Sequence, residues 1–130
     1  MKLLYSIFFF FALSISVSSA QKIEFDALEI NYGDIEQGAD TRREFKFTNN
    51  SDMPLVIESA FPSIDFLVVE YSREPIMPHQ SSAIKIKYKT YYTGRFVKYI
   101  TVKSSCIDKP KIRLCVRGEV HAPAVPAAEK

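Results

Sequence analysis

Ser82-Ala83-Ile84-Lys85-Ile86-Lys87-Tyr88-Lys89-Thr90 is the stretch that decides the fold. Ile84, Ile86 and Tyr88 alternate with Lys85, Lys87 and Lys89, and period two sends successive side chains to opposite faces of a strand. One face is apolar and the other cationic, as in a sheet buried on one side and wet on the other. The pattern recurs in both directions. Downstream, Thr93-Gly94 turns the chain into a strand over residues 96–105, whose expected partner covers residues 111–120 across an Asp108-Lys109-Pro110 turn. Upstream, residues 42–48 alternate around Phe45 and Phe47, and Asn49-Asn50-Ser51-Asp52 makes a turn of residues that bond their own backbone. Short strands are also expected at Ile23 and Phe25, from Leu28 to Tyr32, over residues 55–59 and over residues 66–71. Seven to eight strands spaced about ten residues apart, with no sustained helical period, describe an all-β antiparallel sandwich. Its expected core holds Phe45, Phe47, Ile84, Ile86, Ile100, Val102, Ile112, Leu114 and Val116.

The first twenty residues carry an address. Lys2 precedes an apolar run from Leu3 to Leu13, and Ser18-Ser19-Ala20 stands before Gln21. A basic start, a short hydrophobic segment and small residues before the junction make a secretory signal peptide. The run is shorter than the ~20 apolar residues that span a bilayer. The expectation is a signal peptide over residues 1–20, one domain over residues 21–120 and a disordered Ala/Pro-rich tail over residues 121–130. No stable membrane span remains after cleavage; retention as an uncleaved anchor is the alternative. The compartment is then the periplasm or the exterior.

Charge is unevenly distributed. Residues 21–72 hold four basic and eleven acidic side chains, or −7; residues 73–130 hold twelve and four, or +8. The near-zero total excludes nucleic acid as a partner, which calls for a basic excess. Two cysteines in an exported chain invite a disulfide. With the turn at residues 108–110, however, Cys115 lies opposite Val102 or Lys103, and Cys106 is three or four positions away, about 10–13 Å. That exceeds the ~7 Å reach of a bridge. Alternation also turns Cys115 outward with Arg113 and Arg117. Two thiols with no bridge between them are expected, Cys115 being the more reactive.

A run of motifs now resembles a family. In order they are Tyr32-Gly33-x-Ile35-x-x-Gly38, Phe45-x-Phe47-Thr48-Asn49, Pro54-Leu55-x-Ile57, Glu74-Pro75-Ile76-x-Pro78 and Gly94-x-Phe96-x-Lys98-x-Ile100-Thr101-Val102, ending near Gly118. Together they resemble a bacterial exported family of unknown function, frequent in the Bacteroidota, whose immunoglobulin-like domain is similar to Hydin-type and major-sperm-protein-type sandwiches. The resemblance implies an immunoglobulin-like β-sandwich over most of the chain after Gln21. Many members carry Cys-Gly-Cys-Thr ahead of the Glu-Pro-Ile element; here Ile64 and Phe66 stand where the cysteines would, so thiol or metal chemistry there cannot run. The family's Pro-Gly turn has become Pro78-His79, which implies a different turn conformation.

Little else points to chemistry. His79 and His121 have no partner nearby in sequence, no Gly-x-Ser-x-Gly elbow is present, and the acidic residues Asp26, Glu29, Asp34, Glu36 and Asp40 lack a calcium-loop pattern. The reading is not an enzyme, with no cofactor, no metal site and no catalytic residue. What remains is a binding surface drawn from Lys85, Lys87, Lys89, Tyr91, Tyr92, Arg113 and Arg117. The leading expectation is an interaction module for another envelope or surface protein. The alternative is an acidic carbohydrate or envelope polymer on a basic strand face, provided that the lysine and arginine strands share one sheet.

Overall fold

The computed structural model describes residues 22–106 and 109–123. Eight strands form: β1 (Ile23–Phe25), β2 (Glu29–Glu36), β3 (Arg42–Asn49), β4 (Ile57–Pro62), β5 (Leu67–Glu70), β6 (Ser81–Tyr88), β7 (Gly94–Ser104) and β8 (Lys111–His121). They make two four-stranded sheets, ordered β1-β3-β6-β5 and β2-β8-β7-β4. This is the immunoglobulin arrangement, with the first strand divided between the sheets. The signal-peptide reading and most of the tail lie outside the described residues, as does Asp108. β8 continues through His121, which the sequence assigned to the tail.

Alternation drives burial as expected. Phe45 and Phe47 on β3, Ile84 and Ile86 on β6, Ile100 and Val102 on β7, and Leu114 and Val116 on β8 are all buried. Ile112 is only half-buried, beside the turn end of the β7–β8 hairpin. At the opposite end Tyr88 and Phe96 stack with ring centroids 3.9 Å apart, and Tyr32 joins them at 6.1 Å from Phe96. Burial pushes the Tyr32 phenol up to about 12, so it stays protonated and donates to the Thr41 carbonyl at 2.5 Å.

Four expectations need correction. The sandwich is not wholly antiparallel: β2 runs parallel to β8, with a register break between Asn31 and Asp34. There Gly33 has φ 65°, open to a residue without Cβ, and the inward parity passes from Tyr32 to Ile35. The strand expected over residues 55–59 begins at Ile57 and runs to Pro62, while Leu55 instead exchanges both backbone hydrogen bonds with Ile76. The β7–β8 turn is longer than three residues. Beyond Ser104 the chain leaves β8 to accept and donate at Val56, so Cys115 faces Tyr99 rather than Val102. Neither cysteine is in a disulfide. Finally, His79 adopts φ 64°, the left-handed geometry a glycine would take, so the Pro78-His79 turn keeps a glycine conformation.

A buried side chain anchors that turn. The Asn49 amide donates to the Met53 and Ile76 carbonyls at 2.7 and 2.8 Å and accepts from the Ser51 backbone and hydroxyl. The His79 amide bonds the Asn49 carbonyl at 2.7 Å. Within the polar run read as a turn, Asn49 and Ser51 thus form a satisfied buried network fixing two loops.

Candidate functional site

The expected binding residues fall on three surfaces. Lys85 and Lys87 project from β6 on the outer face of the first sheet. Register sets Lys87 between Arg42 on β3 and Val68 on β5, and Lys85 between Glu44 and Glu70. An open groove of about 670 Å³ runs over these rows, which also reach Arg43 and Lys46. Arg42 is bound to Asp40 at 2.8 Å and Lys46 lies 3.6 Å from Glu44, whereas Lys85 and Lys87 make no ion pair among the described residues. The hydrogen bond from Arg42 holds the Asp40 carboxyl well below the usual carboxylate range. Lys89 does not line this groove. The strand ends at Tyr88, and Lys89 turns into the following loop with its ammonium 5.8 Å from the Tyr91 ring centre.

Arg113 and Arg117 belong to the other sheet. The two basic strands therefore do not form a single cationic face, which removes the premise of the carbohydrate reading. Their surface is of another kind. β7 turns Val97, Tyr99 and Thr101 outward, and Phe61 on β4 pairs with Thr101. Phe61, Val97 and Tyr99 are 68%, 52% and 39% exposed, a ribbon of apolar side chains across three register positions. The Arg113 guanidinium sits 4.8 Å over the Tyr99 ring, and Arg117 pairs with Glu29. Lys103 with Glu58 at 3.7 Å and Arg95 with Glu119 at 3.6 Å complete a charged rim. Apolar and aromatic side chains ringed by arginine are the composition of interface centres. Cys115 lies in this face opposite Tyr99 and half-covered. Burial pushes its thiol up, Glu29 adds to the rise, and Arg117 opposes it without reversing it.

Sequence reasoning missed Phe61, Val97 and Tyr99, although a signal was present. Residues 96–102 are apolar on both parities at Phe96, Val97, Tyr99 and Ile100, where a strand with one wet face should alternate.

The third surface is the sandwich end carrying the β2–β3, β4–β5 and β6–β7 loops. Tyr91 and Tyr92 are exposed but lean on Phe66, at centroid distances of 6.3 and 5.7 Å. Gln37 donates to the Tyr91 carbonyl at 3.1 Å, and the Gly38 amide to the Thr90 hydroxyl at 2.9 Å. The tyrosine pair is therefore part of a braced corner. Nearby, His121 lies 2.9 Å from the Asp34 carboxylate, a partner that sequence proximity did not show. Asp34, Glu119 and His121 bring their donor atoms within 4.8 Å of one another. Three such donors are the number a divalent cation takes from protein at an open site, though Arg95 competes for Glu119. The β2 register break brings Asp34 there, and alternation alone did not reveal it.

Among the described residues no helix is long and apolar enough to cross a membrane. No functionally curated protein sequence matches the chain. Solved structures match its fold. A protein of unknown function from Porphyromonas gingivalis W83 is 17% identical with a TM-score of 0.69 over 82% of this chain and 50% of that one. PapD-like domain 7 of human CEP192 is 13% identical with a TM-score of 0.62, covering 80% and 88%. The E. coli chaperone DraB is 17% identical with a TM-score of 0.55, covering 83% and 58%. The chain thus spans half the length of the Porphyromonas protein, and at these identities the likeness shows the fold alone, an immunoglobulin-like β-sandwich. Over residues 23–120 the sequence matches the model of the DUF1573 proteins of unknown function, and the chain belongs to that family.

Proposed function

We propose that the chain is an exported, non-catalytic module that binds another envelope or surface protein through the outer face of the β2-β8-β7-β4 sheet. The observation that carries this reading is the exposed ribbon of Phe61, Val97 and Tyr99, with the Arg113 guanidinium over the Tyr99 ring. Aromatic and arginine side chains supply most interface binding energy, and a sheet face presents them without ordering a loop. A binding role also agrees with the PapD-like neighbours, which include the periplasmic chaperone SfaE.

Catalysis finds no support at the histidines. His79 lies 3.8 Å from Asp52 and His121 2.9 Å from Asp34, both exposed, with no hydroxyl or thiol hydrogen-bonded to either ring among the described residues. Export rests on the N-terminal segment. Intact-mass analysis of secreted material should find a chain starting at Gln21; retained Met1 in membranes would contradict it.

The binding claim is tested by co-purification from an envelope fraction with the wild-type chain and a Phe61→Ala/Tyr99→Ala variant. A defined protein retained by the first and reduced about tenfold or more with the second is expected, with unchanged thermal unfolding and a blank glycan array. Equal retention by both, or glycan binding without protein, would overturn the proposal.

A further inference from the structure

We propose that Asp34, Glu119 and His121 form a binding site for a divalent transition-metal ion of the zinc class, independent of the apolar ribbon. The site follows from strand geometry. Glu119 and His121 stand two residues apart on β8, so their side chains leave the same face of the strand. Asp34 on β2 pairs with Glu119 in the parallel register. Unbroken alternation from Tyr32 would send Asp34 into the core; the register break between Asn31 and Asp34 turns it outward instead. Backbone pairing continues past the ladder, where the Gln37 amide donates to the His121 carbonyl at 2.9 Å. Two paired strands therefore hold all three residues, a firmer support than loops give.

The donor set fits zinc and its first-row neighbours. One imidazole nitrogen with two carboxylate oxygens suits such ions, whereas magnesium and calcium take oxygen alone. A tetrahedral ion with bonds of about 2.1 Å keeps its donors about 3.4 Å apart. His121 Nε2 and Asp34 Oδ1 are already 2.9 Å apart, and no separation in the cluster exceeds 4.8 Å. All three side chains are accessible to solvent, so small rotations close the difference. Charge points the same way. Two carboxylates balance a divalent ion while the imidazole stays neutral, as a metal ligand must. Among the described residues the imidazole is the only cationic partner of Asp34. Glu119 has Arg95 at 3.6 Å, but that side chain is 88% exposed, and such a surface pair is readily displaced. Three protein donors leave a further position for water or for a donor from outside.

The test titrates zinc chloride into the untagged full chain, stripped of metal and kept reduced. Calorimetry should find one saturable equivalent, which calcium and magnesium do not displace. Asp34→Asn and His121→Gln, each checked for unchanged metal-free unfolding, should bind about tenfold or more weakly. Glu36 faces His121 in the register but lies outside the cluster, so Glu36→Gln should bind as wild type. Imidazole resonances read the site directly: zinc should shift those of His121 and leave those of His79 in place. Absent saturation, unaffected binding in either cluster variant, a matching loss in Glu36→Gln, displacement by calcium, or a shift at His79 alone would each overturn the proposal.

Discussion

His79 occupies the left-handed region at φ 64°, where an L side chain costs about 1 kcal/mol or more and glycine nothing. Its contact with Asp52 is long and both side chains are exposed, so little compensates. Glycine's greater freedom in the unfolded chain returns part of the gain. His79→Gly should therefore stabilise the domain by about 0.5–1 kcal/mol in denaturant titration, whereas unchanged or lower stability would point to a contact that the imidazole alone makes. His121 is different in kind. The hydrogen bond to Asp34 raises its pKa above the usual histidine value, and Glu119 adds to the rise. A raised folded pKa means stabilisation that is complete below the unfolded value of ~6.5 and lost as pH climbs through the folded one. Wild type should melt above His121→Gln at about pH 5 and level with it by about pH 8; a gap widening toward alkali would contradict the pairing. Neither role was legible in the sequence. Asp34 lies far from His121 along the chain, and the geometry of Pro78-His79 depends on the buried Asn49 network.

At the scale of elements, alternation did most of the work. Residues 82–90 announced β6, and its apolar face is buried in the sandwich as read. Ile86 is 3% exposed at the centre of the first sheet, so Ile86→Ala should cost about 2–5 kcal/mol by chemical denaturation. A loss below about 1 kcal/mol would mean the interior collapses around the gap. Alternation failed where the backbone left the regular ladder. β2 changes inward parity at Gly33 and pairs parallel with β8, a long-range choice that a local period does not encode. The β7–β8 register slipped for a similar reason: Ser105 turns away to Val56 before the apparent turn at 108–110. The basic residues were readable one by one, but whether their strands shared a sheet was not. Strand order, which set lysines and arginines on opposite sides, decided between the two binding readings.

At the scale of the whole molecule, the described residues form an immunoglobulin-like β-sandwich with two different faces: a charged groove on one sheet and an arginine-rimmed apolar ribbon on the other. The edge strands of the first sheet, β1 and β5, are too short to give much purchase for strand addition, whereas β2 and β4 at the edges of the second are longer. The ribbon of Phe61, Val97 and Tyr99 is the surface on which the proposed binding depends. A photo-crosslinking residue placed at position 99 in cells producing the protein tests it most directly, with position 109 in the β7–β8 loop as the control. The account predicts a discrete protein adduct from position 99 that is absent from 109 and disappears when Phe61→Ala is added. No adduct at 99, or the same adducts from both positions, would contradict it.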